Sequence, residues 1–165
     1  MKKFLLLLLI GTISISCKPS LEKRLRSQLI EMPSSQTDID KNAILNYALT
    51  NKMEVMSTAS GIYYTILDQG TGMESPTASS KITAHYKGAL LNGTVFDSSF
   101  DRGEPLKFQL GQVIKGWQEA IPLLKKGGKG KFIIPSHLAY GERGAGAMIP
   151  ANSVLVFDIE LLDFE

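Results

Sequence analysis

The chain has 165 residues, enough for one folded domain with additional segments. Its composition, 44% hydrophobic and 21% charged, is ordinary for a folded domain. The net charge is +2, and removing Lys2 and Lys3 leaves 16 of the 18 basic residues against 16 acidic ones. This balance excludes a general electrostatic attraction to nucleic acid, so we expect no nucleic-acid partner.

The N-terminal segment has the features of a secretory signal. Lys2 and Lys3 precede an apolar run at 4–10, small and hydroxyl residues follow, and Cys17 marks the change to polar sequence. The run is shorter than the roughly 20 apolar residues that a membrane-spanning helix needs. Residues 1–16 resemble a bacterial lipoprotein signal with acylation of Cys17, although Ser14 stands where that signal prefers leucine. We expect a lipid-anchored chain in the bacterial cell envelope, with its folded domain in the periplasm. Plain secretion and an uncleaved anchor are the alternatives.

Two segments precede the main domain. Residues 17–36 are polar, with prolines and paired serines, and predict a flexible tether. Residues 37–58 predict a helical leader, with a helix over about 38–55 capped by Thr37 or Asp38. We favour a leader that packs on the following domain or spaces it from a membrane. The alternative is a helix for dimerisation or client docking. Its apolar face at helical spacing comprises Ile39, Ala43, Leu45, Leu49, Met53 and Met56.

From residue 61 onward the chain is rich in strand signals. Asn92-Gly93 is a strong hairpin dipeptide. Only one window, 117–124, predicts a helix, and Pro122 limits it to a couple of turns. We therefore expect an α+β fold over 61–165, in which one antiparallel sheet curls around one short helix. Strands are predicted at 62–67, 81–90, 94–96, 106–110, 129–134 and 154–164.

The sequence lacks motifs for metal-dependent or hydrolytic chemistry. One cysteine and two histidines cannot supply a structural zinc site, and no phosphate-binding or nucleophile-elbow motif occurs. His85 falls within a strand and is expected to be structural, and His137 is expected in a turn. The basic run at 125–131 is expected to be a solvated loop rather than an anion site. We expect no metal and no cofactor.

Several short motifs follow one another in order along 61–165. They are His85-Tyr86-Lys87-Gly88, the run Gly93 to Ser99, the run Asp101 to Phe108, the run Val113 to Trp117, Ala139-Tyr140-Gly141, Ile149-Pro150 and the run Leu155 to Leu161. Together they closely resemble the FKBP-type (macrolide-binding) peptidyl-prolyl cis-trans isomerases. The signal and the helical leader resemble those of the exported bacterial members.

The resemblance implies a twisted antiparallel sheet wrapped around one short helix, with a ligand pocket between them. Two departures from the family are expected to affect macrolide affinity. Leu106 stands where many members have phenylalanine, and the loop at 142–148 lacks the histidine of some members. The catalytic residues that it implies are Tyr86, Phe96, Asp97 and Tyr140. The substrate-binding residues that it implies are Arg102, which pairs with the pocket aspartate, and Phe108, Val113, Ile114, Trp117, Ile149 and Phe157.

The resemblance also implies an activity, namely the acceleration of X-Pro isomerisation during the folding of exported proteins. The expected partners are proline-containing unfolded or folding polypeptides, with macrolide inhibitors as further ligands. The alternative is a non-enzymatic chaperone or envelope assembly factor that uses an FKBP-like binding domain. Aromatic side chains close to polar Tyr86, Asp97 and Tyr140 favour the enzyme, because packing alone does not explain their polar atoms.

Overall fold

The computed structural model describes residues 19–165, so the predicted signal and Cys17 lie outside the described residues. None of the helices in this range is long and apolar enough to cross a membrane. The helices are α1 (Leu21–Arg26), α2 (Gln36–Thr50), α3 (Ser99–Arg102) and α4 (Lys115–Ala120). The strands are β1 (Met56–Ser57), β2 (Tyr63–Asp68), β3 (Lys81–Leu90), β4 (Val95–Ser98), β5 (Leu106–Gln109), β6 (Lys129–Ile134) and β7 (Leu155–Phe164).

The seven strands form one antiparallel sheet. Its order is β1-β2-β6-β7-β3-β4, and β5 pairs with the first half of β3. The short helix α4 packs on one face of the sheet through Trp117 and Ala120, and a 3-10 turn at Ile121–Leu123 ends it at Pro122. The predicted α+β fold, one sheet around one short helix, is confirmed.

Both faces of the central strands are buried, because side chains alternate along each strand. On β6, Phe132 and Ile134 belong to the core beneath α4, whereas Ile133 lies in a second core on the opposite face. On β7, Phe157 faces α4 and Val156 faces away. The second core is completed by α1 and α2, so the leader packs on the main domain as the sequence analysis favoured.

The leader helix differs in detail from the prediction. It begins at Gln36, because Ser35 and Asp38 cap each other's backbone N–H groups in a capping box. It ends at Thr50, ahead of Lys52, whose positive φ of 52° stops a right-handed helix. The predicted apolar face is confirmed in part. Leu45 is buried and Ala43, Leu49 and Met53 pack against the second core, whereas Ile39 and Met56 are about half exposed. The buried residues of the helix also include Asp40, Ile44 and Ala48.

The predicted flexible tether over 17–36 needs a correction for its described part. Ser20 caps α1, and Leu25 of this helix is buried in the second core. The segment between the two helices is tied down by Asn42, whose amide accepts a hydrogen bond from the Ile30 N–H (2.9 Å) and donates one to the Ile30 carbonyl (2.7 Å). These contacts join residues distant in sequence, so local composition did not indicate them.

Candidate active site

A cavity of about 630 Å³ opens between α4 and the sheet. Strands β3, β4, β5 and β7, helix α4 and two loops contribute its walls. Carbon-rich rings and aliphatic chains dominate these walls. The lining residues are Tyr86, Phe96, Asp97, Leu106, Gln112, Val113, Ile114, Trp117, Tyr140, Ala145, Gly146, Ala147, Met148, Ile149 and Phe157.

Trp117 forms the floor of the cavity and is only 5% exposed. Three rings surround its indole, with centroids 5.0 Å away for Tyr86, 5.2 Å for Phe157 and 5.3 Å for Phe108. The first two meet it edge to face, an arrangement that the ring quadrupoles favour. Among the described residues the indole N–H has no hydrogen-bond partner. The floor is therefore rigid and apolar.

The approach of two wall rings depends on a glycine. Gly88 in β3 lies opposite Phe157 of β7 and opposite Asp97 of β4. A Cβ atom added at Gly88 would lie 2.5 Å from the Phe96 ring and 2.9 Å from the Phe157 ring, closer than carbon atoms can approach. Glycine at this position lets Phe96 and Phe157 meet edge to face at 5.7 Å.

The polar side of the cavity is a hydrogen-bonded triad of Tyr86, Asp97 and Arg102. The Tyr86 hydroxyl donates to one carboxylate oxygen of Asp97, and the Arg102 guanidinium donates to the other. A second guanidinium nitrogen of Arg102 lies 3.3 Å from the Tyr86 hydroxyl. Both oxygens of Asp97 are thus occupied, and the carboxylate is fixed in orientation at the cavity edge.

The triad changes the protonation of its members. Burial raises the pKa of the Asp97 carboxyl, but hydrogen bonds from Tyr86 and Arg102 outweigh burial and leave that pKa below its ordinary value. Burial, followed by the hydrogen bond to Asp97, raises the pKa of the Tyr86 hydroxyl. Asp97 is therefore an anion and Tyr86 a neutral donor at physiological pH.

A buried serine positions the helix that carries Arg102. Ser99, fully buried at the start of α3, accepts a hydrogen bond from the Tyr86 N–H (2.7 Å). Its hydroxyl also lies 2.9 Å from Nδ1 of His85, whose ring stacks on Phe100 at 4.8 Å. His85 is thus structural, as predicted, and it helps to join α3 to β3 beside the triad.

The rim of the cavity is formed by Tyr140 and the loop at 144–149. This loop closes on itself through reciprocal backbone hydrogen bonds between Ala145 and Ile149 (2.9 and 3.1 Å). Gly144 starts it with a φ of 62°, and a Cβ there would lie 2.3 Å from the Ile149 carbonyl oxygen. Tyr140 is 41% exposed and Met148 is 50% exposed, so both can contact a ligand that enters from solvent.

Most of the residues predicted for the site line the cavity, with two exceptions. Arg102 contacts Asp97 and Tyr86 rather than the cavity itself. Phe108 lies outside the lining because it pairs with Ile82, which is two residues further from Tyr86 along β3 than Ala84, the partner of Leu106. Its ring supports Trp117 from the side. The prediction of Phe108 as a direct substrate contact therefore needs correction.

Sequence reasoning missed one side chain and most of a loop. Gln112 lines the cavity, and no sequence pattern indicated it. It lies in a single 3-10 turn between β5 and α4. The loop residues 145–148 are mostly small, and their position follows from backbone geometry rather than from side-chain pattern. The glycines at 144 and 146 next to Ile149-Pro150 were the available signal of a tight rim loop.

Residues 72–162 match the family model of the FKBP-type peptidyl-prolyl cis-trans isomerases. The chain belongs to this family. Helix α4 and strands β3, β4 and β5 lie within the matched range, and β7 overlaps its end.

Individual FKBP-type relatives extend the comparison. The isomerase FkpA of Aeromonas hydrophila is 52% identical over 134 residues, which cover 76% of this chain and 49% of that protein. The crystal structure of FkpA from Escherichia coli superposes with a TM-score of 0.70 at 38% identity, covering 87% of this chain and 64% of the other. The crystal structure of AtFKBP13 superposes with a TM-score of 0.62 at 43% identity, covering 68% of this chain and 99% of the other.

The relatives differ from this FKBP-family chain in length. The chain spans about half the length of the curated relatives that it matches, 45% and 49% for two of them.

Within residues 19–165, no group of three or more His, Cys, Asp or Glu side chains could hold a metal ion.

Proposed function

We propose that this chain is a peptidyl-prolyl cis-trans isomerase that accelerates X-Pro isomerisation in folding polypeptides. One observation carries the proposal: a cavity walled by aromatic rings, open to solvent, with a fixed carboxylate at its edge. Membership of the FKBP-type isomerase family supports it.

The chemistry suits such a cavity because no bond to a side chain is needed. The X-Pro amide is partly double-bonded, and rotation about it has a barrier of about 18–20 kcal/mol. At the top of the barrier the amide is twisted, and its carbonyl carries less negative charge than in the planar form. Water stabilises the planar form more, so a cavity that withdraws water favours the twisted form. Each ~1.36 kcal/mol removed from the barrier raises the rate tenfold.

The geometry suggests a role for each part of the site. The proline ring would lie on the indole of Trp117, between the rings of Phe96 and Phe157. Val113 and Ile114 would close the apolar wall, and the Ile114 N–H and the Tyr140 hydroxyl would bind substrate carbonyls on either side of the proline. Asp97, held by Tyr86 and Arg102, would lie near the twisting carbonyl, where its fixed charge favours the rotated amide over the planar one.

We further propose that the substrates are exported proteins and that the chain is tethered in the cell envelope by a lipid on Cys17, with the domain in the periplasm. The support is the basic and apolar signal at 1–16 that ends beside this cysteine. Mass spectrometry of the mature N-terminus in a bacterial host is the test. Acylated Cys17 is the expected N-terminal residue, and an unmodified or uncleaved terminus would refute the anchor.

A coupled X-Pro peptide assay and a proline-limited refolding assay test the activity. We expect the wild type to accelerate both, and Asp97→Leu and Phe96→Ala to lower kcat/KM by at least about tenfold. Asp163→Asn is the matched control, since it removes an exposed carboxylate of β7 that pairs with Lys126 (2.7 Å).

Three outcomes are informative. An inactive wild type that still binds unfolded chains would favour the alternative, a non-enzymatic chaperone or assembly factor. Unchanged activity in both variants would refute the assigned roles. Inhibition by a macrolide would extend the ligand class of the cavity, and its absence would point to the walls at Leu106 and 145–148.

A further inference from the structure

One buried carboxylate is not used by the proposed mechanism. Asp40 of α2 is only 2% exposed although its side chain is polar. Its Oδ2 accepts hydrogen bonds from the Ser136 N–H (2.7 Å) and the Ser136 hydroxyl (2.6 Å), and its Oδ1 accepts one from the Gln36 side-chain amide (2.7 Å). A buried polar group is costly unless it is hydrogen-bonded in this way, so the position is built for these partners.

Ser136 begins the segment that leads to the cavity rim. It is 1% exposed and follows Pro135 at the end of β6. The turn that it opens is short and closed by backbone hydrogen bonds, from the Leu138 N–H to the Pro135 carbonyl (3.1 Å) and from the Ala139 N–H to the Ser136 carbonyl (2.9 Å). Tyr140 comes directly after this turn and lines the cavity.

Tyr140 depends on this turn because its own side chain has little packing. The ring is 41% exposed at the rim, whereas the rings of the cavity floor are held by mutual contacts. The backbone between 136 and 140 therefore sets the point at which the ring is attached to the rim. Two hydrogen bonds to one carboxylate oxygen fix the start of that backbone in direction as well as distance.

We propose that Asp40 is a positioning residue for Tyr140, and that the leader helix is thereby a working part of the active site. This inference rests on the proposed isomerase function. Apolar contacts of Leu45 and Ala48 attach the leader to the sheet without direction. The Asp40–Ser136 contact adds the direction, and it joins the leader to the segment that carries Tyr140 to the cavity rim.

The test uses the full chain and compares two changes in α2. Asp40→Ala removes the directional contact, and Leu45→Ala is the matched control, because it removes fully buried apolar contacts of the same helix. Both variants are assayed with an X-Pro peptide at a temperature where circular dichroism shows them folded. We expect Asp40→Ala to lower kcat/KM about fivefold and Leu45→Ala to leave it unchanged.

A double-mutant cycle identifies the route. In a Tyr140→Phe background, which lacks the hydroxyl, Asp40→Ala should have no further effect on kcat/KM. Ser136→Ala should give a smaller loss than Asp40→Ala, since the backbone N–H still donates to the carboxylate. Asp40→Asn should retain more activity than Asp40→Ala, because its amide oxygen can still accept the two bonds from Ser136. It serves in place of Asp40→Ala if that variant does not fold.

The outcomes separate this inference from the proposed function. A wild type without isomerase activity overturns the function. An active wild type whose Asp40 variants match Leu45→Ala in kcat/KM overturns the positioning role. The role is also overturned if Asp40→Ala lowers kcat/KM by the same factor in the Tyr140→Phe background as in the wild type.

Discussion

The two faces of the sheet are buried in different ways. The face toward α4 is covered by aromatic rings around Trp117 and keeps an open cavity among them. The face toward the leader is covered by aliphatic side chains such as Ile44, Leu45 and Val156, which pack without exposure to solvent. The same strands, β6 and β7, supply both faces through their alternating side chains.

The contrast shows how one sheet combines stability with a binding site. The face toward α4 leaves about 630 Å³ open, so the rings that line this cavity lack packing partners on one side. Branched aliphatic chains interdigitate and fill the available volume. We infer that the leader face contributes stability that the cavity face forgoes by staying open, and the following changes test this division.

The largest effect is expected from Leu45→Ala on the closed face. Leu45 is fully buried, so truncation should lower the free energy of unfolding by about 2–5 kcal/mol. Urea unfolding measures this loss, and kcat/KM of the folded fraction should remain that of the wild type. A parallel fall in kcat/KM would break the division between the two faces.

Gly88→Ala on the open face should reverse this pattern. The added methyl group would lie 2.5 Å from the Phe96 ring, so the ring must move at a cost of about 1–3 kcal/mol in stability. The loss in kcat/KM for an X-Pro peptide, expressed as a free energy, should exceed the loss in the free energy of unfolding. Gly130→Ala is the matched control, since its methyl would crowd Phe132, which does not line the cavity, at 2.9 Å. Equal activity losses in both variants would contradict the assignment.

A smaller effect concerns pH and the triad. The pKa of Asp97 lies below its ordinary value of 3.8, so its contribution to stability is complete above 3.8 and is lost as the pH falls through the lower folded value. Tyr86→Phe removes one donor, so the carboxyl should protonate at a higher pH than in the wild type. An NMR titration of Asp97 measures this shift. Tyr63→Phe, on the leader face, is the control and should leave the titration unchanged.

The smallest effect is expected on the exposed charges of β6 and β7. Lys126, Lys129 and Lys131 pair with Asp163, Glu160 and Asp158. Lys129→Met should change the free energy of unfolding by about 0.5 kcal/mol or less, because such pairs are partly solvated. Urea unfolding with Glu160→Gln and the double variant gives the coupling. A loss well above this value would mean that the pair, and not only the two cores, stabilises the sheet.

Much of the fold followed from local patterns. The alternation of Leu155, Phe157, Ile159 and Leu161 predicted a core-facing row, and all four are buried. Pro122 limited the central helix as expected. The burial of Val156 on the other side of β7 was not predicted, because it depends on the leader folding back over the sheet. The burial of Asp40 likewise depends on Ser136, a residue distant in sequence.

The site was predictable where the family resemblance named large side chains. Tyr86, Asp97 and Trp117 lie together as expected, and Arg102 pairs with Asp97. Phe108 was assigned to the cavity by the resemblance, and the register of β5 on β3 places Leu106 in the lining and Phe108 against Trp117. The small residues at 145–148 had no side-chain signal, since the backbone of the rim loop places them.

Trp117 is the only tryptophan of the chain, and it lies in the cavity floor. Selective excitation of tryptophan therefore gives emission from a single indole in contact with any occupant. Its emission maximum and intensity should report directly on cavity occupancy, with no label and no signal from the leader. A titration with a proline peptide followed in this way would yield an affinity independent of turnover.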